Sequence, residues 1–165
     1  TTLNKKAKVI RVMPNTPALI NEGISGICKG TFADETDLAV AQKIMQSVGQ
    51  TVVVGEDKID VVTALSGSGP AFYYYIINEF AKSAQNLGLD YETALKLSTQ
   101  TAIGAGKMIL NGLKNNVDVD KLIENVTTKG GCTEVGNNVL ATSDINEILN
   151  KTIVDTMEKA KKLGN

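Results

Sequence analysis

Two glycines set directly before a helical pattern are where this 165-residue sequence is best equipped for chemistry. The run Thr127-Thr128-Lys129-Gly130-Gly131-Cys132-Thr133-Glu134 leads into a helix carrying Val135, Asn138 and Val139. Consecutive backbone N–H groups freed by glycine converge on an anion, and a helix dipole favours negative charge at that end. A carboxylate can dock there without a guanidinium, which matters because Arg11 is the only arginine in the chain. Each charge-assisted bond from a backbone amide contributes roughly 1.5–3 kcal/mol. The same residues also read as a flexible loop with an ordinary cap. A second candidate is Met13-Pro14-Asn15-Thr16-Pro17-Ala18, at the carboxyl end of an apolar strand pattern, where open α/β sheets bind ligands. An Asn amide and exposed backbone there suit a cofactor's polar edge, and a plain turn is the alternative. A third, Gly67-Ser68-Gly69-Pro70-Ala71-Phe72, imitates a dinucleotide-binding loop but has Phe72 where Gly or Ala is needed. It reads better as a sharp break between two helices. Cys132 stands near a helix start, a place where a thiol could serve as nucleophile, but no base accompanies it.

Absences narrow the chemistry further. The chain has no His, so Ser-His-Asp and Cys-His nucleophile systems, His-type zinc sites and imidazole acids cannot be built within it. Seventeen Lys/Arg against 18 Asp/Glu give a net charge of −1 and no field for holding nucleic acid. The cysteines, Cys28 and Cys132, show no paired-ligand spacing, which suits a reducing cytoplasm. No hydrophobic segment of a signal peptide is visible at residues 1–8. Residues 61–78 are 18 positions without a charge, but the Ser-Gly-Ser-Gly-Pro run at 66–70 breaks any membrane helix. They are expected to be buried core.

The elements that must position these residues are mostly helical. Val9–Met13 is strand-like and is stopped by Pro14 and Pro17; Ile24–Cys28 is a second short strand. Asp34 caps a helix from Glu35 to Val48 with Leu38, Ala41, Ile44, Met45 and Val48 on one face, and 51–54 is a third strand. This strand–strand–helix–strand unit resembles the end of an α/β sheet. No strand is expected beyond Asp57. Pro70 opens a helix to Leu87 whose stripe (Phe72, Ile76, Phe80, Ala84 and Leu87, widened by Tyr73, Ile77 and Ala81) predicts burial over more than half its circumference. Asp90 caps the next helix, from Tyr91 to about Leu113, which carries Ala94, Ser98, Thr101, Ala102, Ala105 and Gly106. Gly104 and Gly106 cost roughly 1 kcal/mol each in helix propensity, so something must pack tightly there. Short helices follow from Asp118 and after 127–132, and a last one from Asp144.

Arg11-Val12-Met13-Pro14-Asn15-Thr16-Pro17, Leu65-Ser66-Gly67-Ser68-Gly69-Pro70-Ala71 and Val126-Thr127-Thr128-Lys129-Gly130-Gly131-Cys132-Thr133 together resemble pyrroline-5-carboxylate reductase, in the same order and at similar spacing. The resemblance runs from about Val9 to the last helix and covers only the later part of the family's chain. It implies residues 1–56 as the closing portion of a Rossmann-like nucleotide-binding domain and 57–165 as a helical dimerisation and substrate domain. The family's glycine loop would precede this segment, so a fragment inactive by itself is implied. The implied reaction is reduction of 1-pyrroline-5-carboxylate to L-proline, the last step of proline biosynthesis, with NADPH or NADH as hydride donor. The implied substrate-binding residues are Thr128, Gly130, Gly131, Cys132 and Thr133, the Thr133 hydroxyl meeting the ring nitrogen; Met13, Pro14 and Asn15 would line the nicotinamide. A homodimer or higher homo-oligomer is implied, with no nucleic acid, membrane or metal partner. The loop departs from the family's usual Ser-Pro-Gly-Gly: Lys129 replaces proline, which loosens the loop and adds a positive charge. A non-catalytic helical oligomerisation module and a related imine or 2-keto-acid reductase are the competing readings.

Overall fold

Strand β1 (Ile10–Met13) pairs antiparallel with β2 (Gly23–Lys29), which pairs parallel with β3 (Gly49–Val53), in the order β1-β2-β3. The computed structural model describes residues 7–164. β2 is the central strand and is buried over most of its length, as expected where both edges and both faces are covered. After β1 and Pro14 comes a 3₁₀ turn, Thr16–Ile20, with Pro17 in its opening positions and Asn21 closing it in the left-handed region at φ 61°. Helix α1 (Glu35–Met45) connects β2 to β3. The Asp34 carboxylate accepts the N–H groups of Thr36 and Asp37 while Asp37 accepts that of Asp34, a complete capping box. The helix ends three residues before the expected Val48, and Ile44 of its apolar face is 63% exposed.

Gly49 is required where α1 hands over to β3. It sits at φ 150°, and a Cβ there would lie 2.0 Å from the Gly23 carbonyl oxygen. On the same strand pair, Gly26 leaves room for Val62 of α2 (Ile59–Val62), whose Cγ1 is 2.6 Å from where a Cβ would stand. Ile27, Cys28, Leu38, Ile59 and Ala64 are the buried apolar residues of this region. A π turn follows α2, closed by Ser68 N–H on the Thr63 carbonyl at 2.8 Å, and leads into α3 (Gly69–Asn86). The glycine-rich motif is therefore a break between helices. No strand lies beyond β3 among the described residues.

The chain divides into two compact units, one drawn from residues up to Phe72 and from Asn150 onward, the other Tyr73–Leu149. In the second, α4 (Tyr91–Lys114) is capped by Asp90, whose side chain accepts the Thr93 N–H at 3.0 Å. The Tyr91 hydroxyl donates to Asn78 Oδ1 at 2.7 Å, tying α4 to α3, and Ala81 and Ala94 are buried. Asp118 caps α5 (Val119–Val126); α6 (Cys132–Thr142) and α7 (Ile145–Gly164) complete the chain. No described helix is long and apolar enough to cross a membrane.

The expected burial of α3 does not hold within one chain. Tyr73 is 65%, Phe80 61% and Leu87 90% exposed, and Leu65 of the uncharged segment is 60% exposed. Among the described residues nothing lies within 4 Å of a Cβ placed at Gly104 or Gly106, so the close packing expected at these glycines is not found there. The physical reason is supply: the helical part contains few described residues that cover these faces.

Replacing Gly49 by Ala should lower unfolding stability by about 1–3 kcal/mol, through strain at positive φ and the clash with Gly23. A urea midpoint equal to that of the parent would contradict the account of this crossover.

Candidate active site

The loop between α5 and α6 is a formed turn. Gly131 N–H donates to the Thr128 carbonyl at 2.8 Å, and Gly130 takes φ 72° between them. Thr127 Oγ1 donates to the Ile123 carbonyl at 2.7 Å and accepts from Asn137 Nδ2 at 2.8 Å, so the loop's entrance is fixed to both flanking helices. At its exit the Gly130 N–H donates to Glu134 Oε2 at 2.7 Å. Gly131 is the N-cap of α6 and offers no side chain to cap it. The N–H groups of Cys132 and Thr133, in the first turn, have no carbonyl four residues back within the helix. They are among the backbone donors still open to an anion once Gly130 and Gly131 have their partners. Thr133 is exposed, and its hydroxyl has no partner among the described residues.

Met13, Pro14 and Asn15 lie in the other unit, at the carboxyl end of β1. Asn15 Oδ1 accepts the Ile24 N–H at 3.0 Å, which fixes its carboxamide and leaves the NH₂ as the donor it can offer. The Met13 Cε atom lies 2.6 Å from where a Cβ on Gly67 would stand, so two of the three sequence motifs meet here. The donor set suits the amide end of a nicotinamide. The glycines at 67 and 69 end a π turn and begin α3, a conformation unlike a pyrophosphate cradle.

Arg11 is committed elsewhere: its guanidinium pairs with the Glu56 carboxylate, which also accepts from Cys28 Sγ at 2.9 Å. The single guanidinium is thus engaged by Glu56. Burial first, and then the neighbouring Glu56, push the Cys28 thiol up to about 11. The Cys28 and Arg11 hydrogen bonds hold Glu56 below its ordinary value. The described residues contain no cluster of metal-ligating side chains. Neither the bond of Glu134 to Gly130 nor the part of Asn137 is among the expectations drawn from the sequence. The only available signal was their spacing of three on α6, facing back to the loop.

A family model described as pyrroline-5-carboxylate reductase dimerisation matches residues 56–163. Pyrroline-5-carboxylate reductase 2 of Bacillus subtilis is 38% identical over 159 residues, which are 96% of this chain and 56% of that protein. A solved pyrroline-5-carboxylate reductase from Coxiella burnetii superposes with a TM-score of 0.91 at 36% identity, over 98% of this chain and 59% of that one. A Plasmodium falciparum pyrroline carboxylate reductase solved with NADP bound gives 0.85 at 31% identity, over 96% and 62%. The chain spans about half the length of the curated relatives it matches.

The two thiols should differ in reactivity. Cys132 is exposed and Cys28 is 1% exposed, with about one thiolate in a thousand at pH 8 for a pKa near 11. Titration of the native chain with a disulfide reagent should show one fast thiol, the second appearing only on unfolding. Two fast thiols would contradict the burial of the Arg11–Glu56–Cys28 group.

Proposed function

The chain belongs to the pyrroline-5-carboxylate reductase dimerisation family, and on that premise we propose that it is the later part of an enzyme that reduces 1-pyrroline-5-carboxylate to L-proline with NADPH or NADH. The observation that carries the reading is the start of α6, where uncommitted first-turn amides adjoin the unpartnered Thr133 hydroxyl on a turn held at both ends. The amides of Cys132 and Thr133, in the loop Thr128–Thr133, receive the substrate carboxylate. The Thr133 hydroxyl donates to the ring nitrogen of the imine or accepts from its protonated form, a versatility that carboxylates and ammonium groups lack. It thereby orients the C=N carbon and keeps the proton on nitrogen. Met13, Pro14 and Asn15 would line the nicotinamide, with the Asn15 NH₂ as the donor they could offer it. The bound reduced nicotinamide supplies the hydride that the C=N carbon accepts.

Residues 1–56 are proposed as the closing portion of the nucleotide-binding domain and 57–165 as the dimerisation and substrate domain. The family match from residue 56 supports that boundary. The uncovered faces of α3 and α4 close against a second copy of the chain, giving a homodimer or a higher assembly. The reading is tested by assaying the complete gene product with pyrroline-5-carboxylate and each nicotinamide cofactor. Loss of nicotinamide absorbance with formation of proline is expected; no turnover with either cofactor would overturn the reading and favour a non-catalytic oligomerisation module. In the same assay Thr133→Ala should lower kcat/KM by about tenfold or more, the usual scale for a lost transition-state hydrogen bond. A value within twofold of the parent would remove Thr133 from the mechanism.

A further inference from the structure

Glu134 clamps the backbone of the loop to which the substrate carboxylate is assigned. Thr128–Gly131 is a β-turn closed by Gly131 N–H on the Thr128 carbonyl at 2.8 Å, with Gly130 at φ 72° in the third position. Positive φ at that corner marks a type II turn, in which proline is favoured at the preceding corner because its ring presets φ. That corner is Lys129, which leaves the turn without the restraint of a ring. Restraint comes instead from α6. Glu134 Oε2 takes the Gly130 N–H at 2.7 Å, and Asn137 Nδ2 reaches Thr127 Oγ1 at 2.8 Å, one on either side of Thr128 and Lys129.

We infer that Glu134 is a positioning residue, holding the type II turn that aims the first-turn amides of Cys132 and Thr133 at the carboxylate, as a proline at 129 would. The inference rests on the reading of this loop as the carboxylate site. A role as proton donor fits less well, because Glu134 Oε2 is already engaged as the acceptor of the Gly130 N–H. A role as an internal competitor for the substrate's carboxylate predicts the opposite change in affinity and is therefore separable.

The test is a double-mutant cycle in the complete gene product. Glu134→Ala should raise KM for the imino acid about fivefold, the scale of one hydrogen bond, with kcat and the KM for the nicotinamide cofactor within twofold. Glu134→Gln keeps an acceptor and should stay within twofold. In the Lys129→Pro background the alanine substitution should move the KM by less than twofold, because the ring already fixes the turn. Amide hydrogen exchange at Gly130 should accelerate in the alanine variant in both backgrounds. Glu134→Met, of similar length but without an acceptor, repeats the comparison if the alanine variant does not fold. An unchanged or lowered KM on loss of the acceptor, or an equal rise in both backgrounds, would overturn the inference while leaving the reductase reading intact. A parent without reductase activity would instead overturn the reading itself, and this role with it.

Discussion

The apolar faces of α3 and α4 find too little cover within one chain, and the remaining features follow from that shortage. Phe80, Leu87, Leu97, Met108 and Leu113 are more than half exposed. Full burial of a side chain of this kind contributes about 1.5–3 kcal/mol, so a few of them closing on a second surface outweigh the cost of association. Gly104 and Gly106 sharpen the point. Each weakens α4 by about 1 kcal/mol relative to alanine, and neither has a neighbour among the described residues that would need the space. A helix keeps such residues at a profit only where another backbone approaches closely.

On this scaffold the proposed chemistry is confined to short segments with settled backbones. Helix α6 contributes its first-turn amides and the Thr133 hydroxyl, while the turn before it is tied by Asn137 and Glu134. The only arginine is engaged with Glu56. On the proposed reading, recognition of an anion falls to peptide groups, whose direction is set by the turn rather than by a mobile side chain. In the other unit, Asn15 is fixed by Ile24 and Met13 packs over Gly67, so β1 ends in a prearranged edge.

Much of this was legible in the residues. Asp34, Asp90 and Asp118 read as helix caps, and each accepts the backbone N–H groups that a cap must satisfy. The strand, strand, helix, strand order and the absence of later strands followed from period and turn residues. Burial of α3 did not, because periodicity reports that a face is apolar and not whether the same chain covers it. The Glu134–Gly130 bond was hidden for a different reason. It depends on one positive φ angle, which decides whether the N–H points toward α6, and spacing alone carries no such angle. Likewise Asn15 was read as ligand-facing, whereas half its carboxamide serves β2.

Sedimentation equilibrium of the chain at micromolar concentration tests the central claim most directly, since it asks whether a second copy supplies the missing cover. The account predicts a mass of at least twice 17.5 kDa, unchanged on modest dilution. A single species of 17.5 kDa would contradict it.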